Sequence, residues 1–452
     1  HLHHTLFMQR AISSRRALLP KSSRGLSSVA ADWAFPVPVT FGAGRAAELP
    51  AKLRERGSNR PLLVADKGLS GAPRPRASGT ALLPRSAIPV PSSLPAPAGT
   101  PVVGGLFDSL AAAGLQPRLF GEVDANPTDL NIVAGAAAYR EHAADGLVAV
   151  GGGSGLDAGK SIAMVAGSGR SLDELEWTRP PVEEMSCPPL VLIPTTAGTG
   201  AEMDSAAMYT DTSRRVKFCV AHPGCTAQIH VIADPLLTLS LPPTLTAWTG
   251  MDAVTHAIEA LSVDSYHPMC DGIALESLRL MHTWLPAAVA DGSDVAARSH
   301  MLAASAMAAV AFQKGLGAVH GLSEPVGAVH NSQHGLTNAI LLPHVLRANR
   351  AAIEPKMDLA ATYLGLPPPP PGYATTDGGF ERVAAWLDTL AEQLQIPATL
   401  AEIGISDETA EECAAKAVAN PTGFTNPLPF DAEMYSGVFR AAVEGRDRGR
   451  LQ

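Results

Sequence analysis

The stretch Gly146-Leu147-Val148-Ala149-Val150, running into Gly151-Gly152-Gly153-Ser154-Gly155-Leu156-Asp157-Ala158-Gly159-Lys160, decides the fold. The short apolar run reads as a strand buried on both faces. Glycines placed directly after it let the backbone approach a phosphate. A helix that follows offers free N–H groups and the positive end of its dipole to that phosphate. A strand, a glycine turn and a helix make half of a βαβ unit.

The same alternation extends on both sides. Pro61–Ala65 (PLLVA), Pro117–Phe120 and Pro189–Pro194 (PLVLIP) read as further strands, with helical spacing at Leu106–Gly114 and Thr128–His142. Strands alternating with helices imply a parallel, doubly wound sheet. After Pro242 strand signals vanish, and Leu245–Leu261, Asp271–His282 and Asp294–Phe312 read as helices. The expected organisation is an α/β Rossmann-like domain over 31–240 followed by an all-α helical domain over 241–452. Two segments interrupt it. Residues 71–101 hold eight prolines, three arginines and no acid, which predicts a surface loop without a core. Pro367–Pro371 predicts a short polyproline II spacer.

Composition narrows the function classes. Of the 452 residues 46% are hydrophobic and 17% charged, enough for a sizeable core. The net charge of −9 makes nucleic acid and anionic membrane poor partners. The longest apolar candidate, Met301–Phe312, stops at Gln313 and Lys314 and reads as a buried helix. The five cysteines form no CxxC pair, which argues against a disulfide scaffold or a thiolate zinc site. Residues 1–30 carry Arg10, Arg15, Arg16, Lys21 and Arg24, six serines and no acid. Such an opening predicts an organelle transit peptide, mitochondrial first and plastid second.

Three motifs compete for the glycine turn. Gly159-Lys160-Ser161 suggests a P-loop, but the residue four before the one preceding Gly159 is not the glycine that motif needs: Ser154 stands where it should be. Gly153-x-Gly155-x-x-Ala158 fits the loose dinucleotide fingerprint. The more specific pattern is a GGGS turn followed by an Asp and a Lys. A second turn, Pro194-Thr195-Thr196-Ala197-Gly198-Thr199-Gly200, supplies hydroxyl and backbone donors for a pyrophosphate or ribose. Two such turns at the C-terminal ends of parallel strands favour one ligand crevice. Asp66, ending the first strand, suits an adenosine ribose diol and would repel a 2′-phosphate, predicting NAD over NADP; the simpler reading is a helix N-cap. In the second half Asp252 and His256 share one helix face at i,i+4 spacing. His320, His330, His334 and His344 follow, with His320 and His334 each preceding a glycine. One carboxylate and three imidazoles suit Fe(II) or Zn(II).

These blocks together resemble the iron-containing alcohol dehydrogenase family, relatives of glycerol dehydrogenase and dehydroquinate synthase. The matches are GGGS-x-x-D-x-x-K at 151–160, PTTAGTG at 194–200, DPLLTLSLPPTLTAWTGMDAVTHAIEA at 234–260, GLGAVHG and HGLTNAILLPHVLRAN within 315–349, and NPLP at 426–429. The likeness runs from about residue 35 to 445, apart from the 71–101 insertion. It implies a cofactor site and a metal site in one interdomain cleft. By this resemblance Asp252, His256, His320 and His334 are the metal ligands. Asp66, Asn126, Gly152, Gly153, Ser154, Asp157, Thr195, Thr196, Thr199 and Lys217 are implied NAD contacts. Where many family members have a His four residues after the first His of the HG block, this chain has Glu324. Glu324 is therefore the candidate proton relay, or a partner for a polar group of the substrate.

The resemblance implies an NAD-linked dehydrogenase that interconverts a small alcohol with an aldehyde or ketone, holding Fe(II) or alternatively Zn(II), as a homodimer or larger assembly. Two alternatives are a mitochondrial hydroxyacid–oxoacid transhydrogenase, which would retain its nucleotide, and an inactive scaffold descended from the dehydrogenase.

Overall fold

The computed structural model describes residues 37–70, 101–370 apart from 180, 181, 183 and 215, and 378–445. The expected transit peptide and residues 71–100 of the insertion lie outside the described residues, as does Pro371. Pro101, expected in the loop, instead opens a helix.

The first half carries eight strands among the described residues: β1 (Val39–Phe41), β2 (Pro61–Asp66), β3 (Arg118–Val123), β4 (Gly146–Gly151), β5 (Leu190–Pro194), β6 (Ala207–Asp211), β7 (Val216–Val220) and β8 (Ile229–Ala233). Six form a parallel sheet in the order β1-β8-β5-β4-β2-β3, and β6 and β7 pair as a separate antiparallel hairpin. Four of the eight were legible as strands beforehand. β1 has three residues beside prolines, too short for a periodic signal. β8 and the hairpin were missed although β6 alternates buried and half-buried positions, as a half-covered strand should.

Period two divides each central strand between two cores. Leu62, Val64, Leu147 and Ala149 pack on one face with Ile132 of α3 (Asp129–Glu141) and Leu156 and Ile162 of α4 (Gly153–Ser168). Leu63, Ala65, Val148 and Val150 pack on the other with Leu49 and Leu53 of α1 (Leu49–Glu55) and Leu106 and Leu110 of α2 (Pro101–Ala112). Each fully buried aliphatic side chain here contributes about 1.5–3 kcal/mol. α4 lies very close to the sheet: a Cβ on Gly159 would stand 2.3 Å from the Ala149 Cβ. Thr128 starts α3 with a capping box closed by Asn131.

The second half is helical among its described residues: α5 (Pro243–Ser262), α6 (Pro268–Ala290), α7 (Val295–Ala311), α8 (Ala318–His330), α9 (His334–Ala348), α10 (Arg350–Leu364), α11 (Gly379–Gln393), α12 (Ala410–Ala419) and α13 (Ala432–Glu444). The segment Val295–Lys314 is long and apolar enough to cross a membrane by length and composition. Its burial explains those residues otherwise. Met301, Ala304 and Ala308 sit in the helical core, whereas Leu302, Ala309 and Val310 sit in the core of the α/β half. A helix that must satisfy two cores is apolar all round, and α7 joins the two halves.

Candidate active site

The sheet winds outward in opposite directions from β2 and β4, so its switch point lies between them. Ligand crevices form outside the C-terminal strand ends at such a point. Ala65 pairs with Val150 and Gly151 with Pro194, so Asp66, the glycine turn and the threonine turn lie side by side. The Thr195 N–H donates to Gly151 O at 2.9 Å, joining the two turns. A Cβ on Gly153 would stand 2.8 Å from Thr199 Oγ1, and one on Gly152 would stand 3.1 Å from Thr196. Gly155 has no room for a side chain either, since its Cβ would lie 2.9 Å from Val150 O. Gly152 precedes α4 in an extended conformation with no side-chain cap, which leaves the N-terminal N–H groups of α4 to an outside acceptor.

Both readings of Asp66 describe it. Its Oδ1 accepts from the Leu69 N–H at 3.0 Å, as an N-cap does, and its Oδ2 is turned to the Gly151 side. Ser154 donates its hydroxyl to Ala125 O, drawing the 124–126 loop to the turn. Asn126 spans to the other half, where its Nδ2 donates to Asn331 Oδ1 at 2.8 Å. Lys217 projects from β7 to within 3.8 Å of a Cβ position on Gly327 of α8. Asp157 is engaged within the chain. Its Oδ2 accepts from the Met208 N–H at 3.0 Å and its Oδ1 lies 3.0 Å from Lys160 Nζ, both inside the core. Lys160, fully buried, also donates to the carbonyls of Ala201 at 2.6 Å and of Ala206. The Asp157–Lys160 pair therefore fastens α4 to the hairpin.

Across the cleft, Asp252, His320 and His334 place one ligand atom each within 4.8 Å of one another. Asp252 lies on α5, His320 in the first turn of α8, and His334 at the start of α9. His256, expected as a fourth ligand, stands at the rim of that group. Its Nε2 is 3.9 Å from Asp252 Oδ1 and its ring stacks on that of His320 with centroids 4.5 Å apart. His330 bonds Thr409 Oγ1 at 2.8 Å, and neither it nor His344 belongs to the group. Burial lowers the pKa of His256 to about 4 and of His334 to about 3, which leaves both imidazoles with lone pairs to offer. Burial opposes charge at His320 too, but the Glu259 and Asp252 carboxylates outweigh it and push its pKa up to about 10. Burial likewise opposes ionisation of Asp252, and the surrounding imidazoles reverse this and hold the carboxylate well below its usual range.

One carboxylate and two imidazoles thus converge on the neutral Asn338 amide group, and with His320 Nδ1 held by Glu259 a cation can take the place of the proton at its Nε2. A carboxylate with imidazole nitrogens is the donor set of a cation site, so the residues fit a metal ion. Thr199 Oγ1 donates to Asp252 Oδ2 at 3.4 Å, which links the cofactor turn directly to the metal group. Glu324, one turn past His320 on α8, is buried and accepts from Asn420 Nδ2 at 2.6 Å. Burial raises its pKa, and Lys217 and Asn420 partly oppose that.

Sequence reasoning missed Glu259, Asn338 and Asn420. Glu259 Oε2 bonds His320 Nδ1 at 2.5 Å and its Oε1 accepts from the Val319 N–H at 2.7 Å. Its signal was present: it follows Asp252 by seven residues and His256 by three, on one helix face. Asn338 follows His334 by four in the same way. Asn420 lies on a distant segment and carried no local signal.

Comparison with known proteins agrees with this geometry. A family model described as iron-containing alcohol dehydrogenase matches residues 96–235, and one for the C-terminal part of the Fe-containing alcohol dehydrogenase family matches 246–443. The NAD-dependent methanol dehydrogenase of Bacillus methanolicus is 34% identical over 336 residues, covering 74% of this chain and 87% of that protein. The 1,3-propanediol dehydrogenase of Klebsiella pneumoniae is 34% identical over 334 residues, covering 74% and 85%. A crystal structure of a 1,3-propanediol oxidoreductase matches with a TM-score of 0.78 at 31% identity, covering 91% of this chain and 100% of that one. The chain belongs to the iron-containing alcohol dehydrogenase family. The expected α/β-plus-helical fold and the expected NAD-dependent alcohol oxidoreductase class are both met.

Proposed function

We propose that this chain interconverts a small alcohol or diol with its aldehyde or ketone, using NAD on the α/β side of the cleft and Fe(II), or alternatively Zn(II), on the helical side. The observation that carries the reading is the Thr199–Asp252 hydrogen bond, which sets the cofactor turn against the carboxylate–imidazole group. When bound, the metal supplies Lewis acidity at the substrate oxygen and NAD supplies the hydride acceptor. The chain does the remaining work. The N–H groups at the start of α4 hold the pyrophosphate. Asp66 accepts from the ribose hydroxyls, and Thr195 and Thr196 line the wall opposite the glycines. Asp252, His256, His320 and His334 hold the ion, and Glu259 fixes the His320 tautomer so that Nε2 faces it. Burial of these groups excludes water and strengthens every charge interaction among them.

Glu324 takes the proton released as the alcohol is oxidised. A carboxylate does so only when ionised, and burial raises its pKa. Oxidation therefore rises with pH through that raised pKa, and Glu324→Gln flattens the acidic limb of the profile. The reading also includes a homodimer or larger assembly and a mitochondrial destination, with plastid as the alternative. The discriminating variant is His256→Ala. Alcohol-dependent NADH formation falls by more than about 100-fold while NAD still quenches tryptophan fluorescence. Full activity in that variant removes His256 from the metal site. Retention of nucleotide without net NADH formation in the parent chain turns the assignment to the transhydrogenase.

A further inference from the structure

Asn338 lies one turn past His334 on α9 and is fully buried. Its Nδ2 stands 2.7 Å from Asp252 Oδ1, 3.2 Å from His320 Nε2 and 3.2 Å from His334 Nε2. Its Oδ1 is buried without a hydrogen-bond partner. An amide group has two protons, and three polar atoms crowd around them. A leucine would fill the same volume and leave no oxygen unpaired. The amide is therefore placed for what its nitrogen touches.

The rest of the group shows what that is. The Asp252 carboxylate is held at Oδ2 by Thr199 and at Oδ1 by Asn338. His320 is held at Nδ1 by Glu259, with its Nε2 turned to Asn338. Among the described residues His334 Nδ1 has no hydrogen-bond partner, so the hydrogen bond of that ring is the one its Nε2 makes to Asn338. Among the same residues Asn338 is the one side chain hydrogen-bonded to all three converging atoms. Without it, Asp252 keeps the hydrogen bond to Thr199 and the longer contacts of 3.6–3.9 Å to the imidazoles, and the His334 ring loses a hydrogen bond.

We propose that Asn338 is a positioning residue of the metal site: its amide holds one carboxylate and two imidazoles convergent, so that an ion enters a site already formed. The proposal rests on the metal reading given above. It differs from that reading in what it predicts, because Asn338 need not bind the ion itself.

The test is Zn(II) affinity, measured by competition with a chelating dye on the purified chain, for the parent, Asn338→Ala and the isosteric Asn338→Leu. Both variants bind Zn(II) about 10–100-fold more weakly than the parent, with NAD affinity unchanged. In the Co(II)-loaded variants the visible absorption envelope differs from the parent's, because the Asp252 carboxylate no longer keeps its orientation. Asn338→Leu guards against a folding defect from the cavity that alanine leaves. If either folded variant binds Zn(II) as tightly as the parent, or gives the parent's Co(II) spectrum, Asn338 holds nothing that matters to the ion and the proposal is overturned. If the parent itself binds neither Zn(II) nor Co(II), the metal reading fails first and this proposal with it.

Discussion

Each half of the molecule buries a charged constellation on one helix, and the two look alike in sequence. In the α/β half, Asp157 and Lys160 are three apart on α4. In the helical half, Asp252, His256 and Glu259 are four and three apart on α5. The structure separates them by saturation. The Lys160 ammonium donates to the carbonyls of Ala201 and Ala206 and is paired with Asp157 at 3.0 Å, with Asp204 at 3.8 Å. That group is complete without a ligand, and it serves as a fastener. Around Asp252 two imidazoles and the carboxylate converge on one neutral amide, and the proton that His320 holds there is one a cation can displace. Helical spacing finds buried polar groups of both kinds, and only what each group is paired with tells a fastener from a site.

The largest effect is expected where the fastener is cut. Lys160→Met leaves Asp157 buried and unpaired beside Asp204, which costs about 3–5 kcal/mol of stability. Denaturant unfolding measures this, and a loss within 1 kcal/mol (roughly the range of a surface change) would mean that α4 and the hairpin do not depend on the pair. A smaller effect, on function more than on folding, is expected in the helical half. Glu259→Gln removes the anion from His320 Nδ1 but keeps the shape and a hydrogen-bond acceptor, so metal affinity falls about 10–100-fold while the unfolding midpoint in chelator falls less than in Lys160→Met. An unfolding penalty as large as that of Lys160→Met would erase the contrast between the two constellations. The smallest effect concerns the cofactor edge. Asp66→Gly removes the repulsion of a 2′-phosphate and shifts the NADP-to-NAD ratio of kcat/KM about tenfold toward NADP, near 1.4 kcal/mol. An unmoved ratio would assign Asp66 wholly to its cap on Leu69.

How much of this was legible depends on whether a feature is local. The glycine turn, the threonine turn and Asp66 each sit at a strand end, and strand ends of a parallel sheet share one edge, so the crevice followed from spacing alone. The helix registers of α5 and α9 were local too, and they carried Asp252 and His334 to the cleft. What lay hidden depended on distant segments. Asn420 reaches Glu324 from 96 positions away. β8 pairs with both β1 and β5, and three residues of β1 give no periodicity to read. The partners of Asp157, Met208 on the hairpin and Lys160, were hidden too, because they are set by the fold and not by the motif.

The central claim is that one cleft brings NAD from the α/β half against a metal ion from the helical half. Its most direct test is NADH formation from a panel of primary alcohols and diols by the chelator-treated chain, before and after anaerobic addition of Fe(II) or Zn(II). The account predicts no turnover after chelation and recovery with at least one of the two metals. Equal turnover in chelator, or none with either metal while NAD still binds, would contradict it.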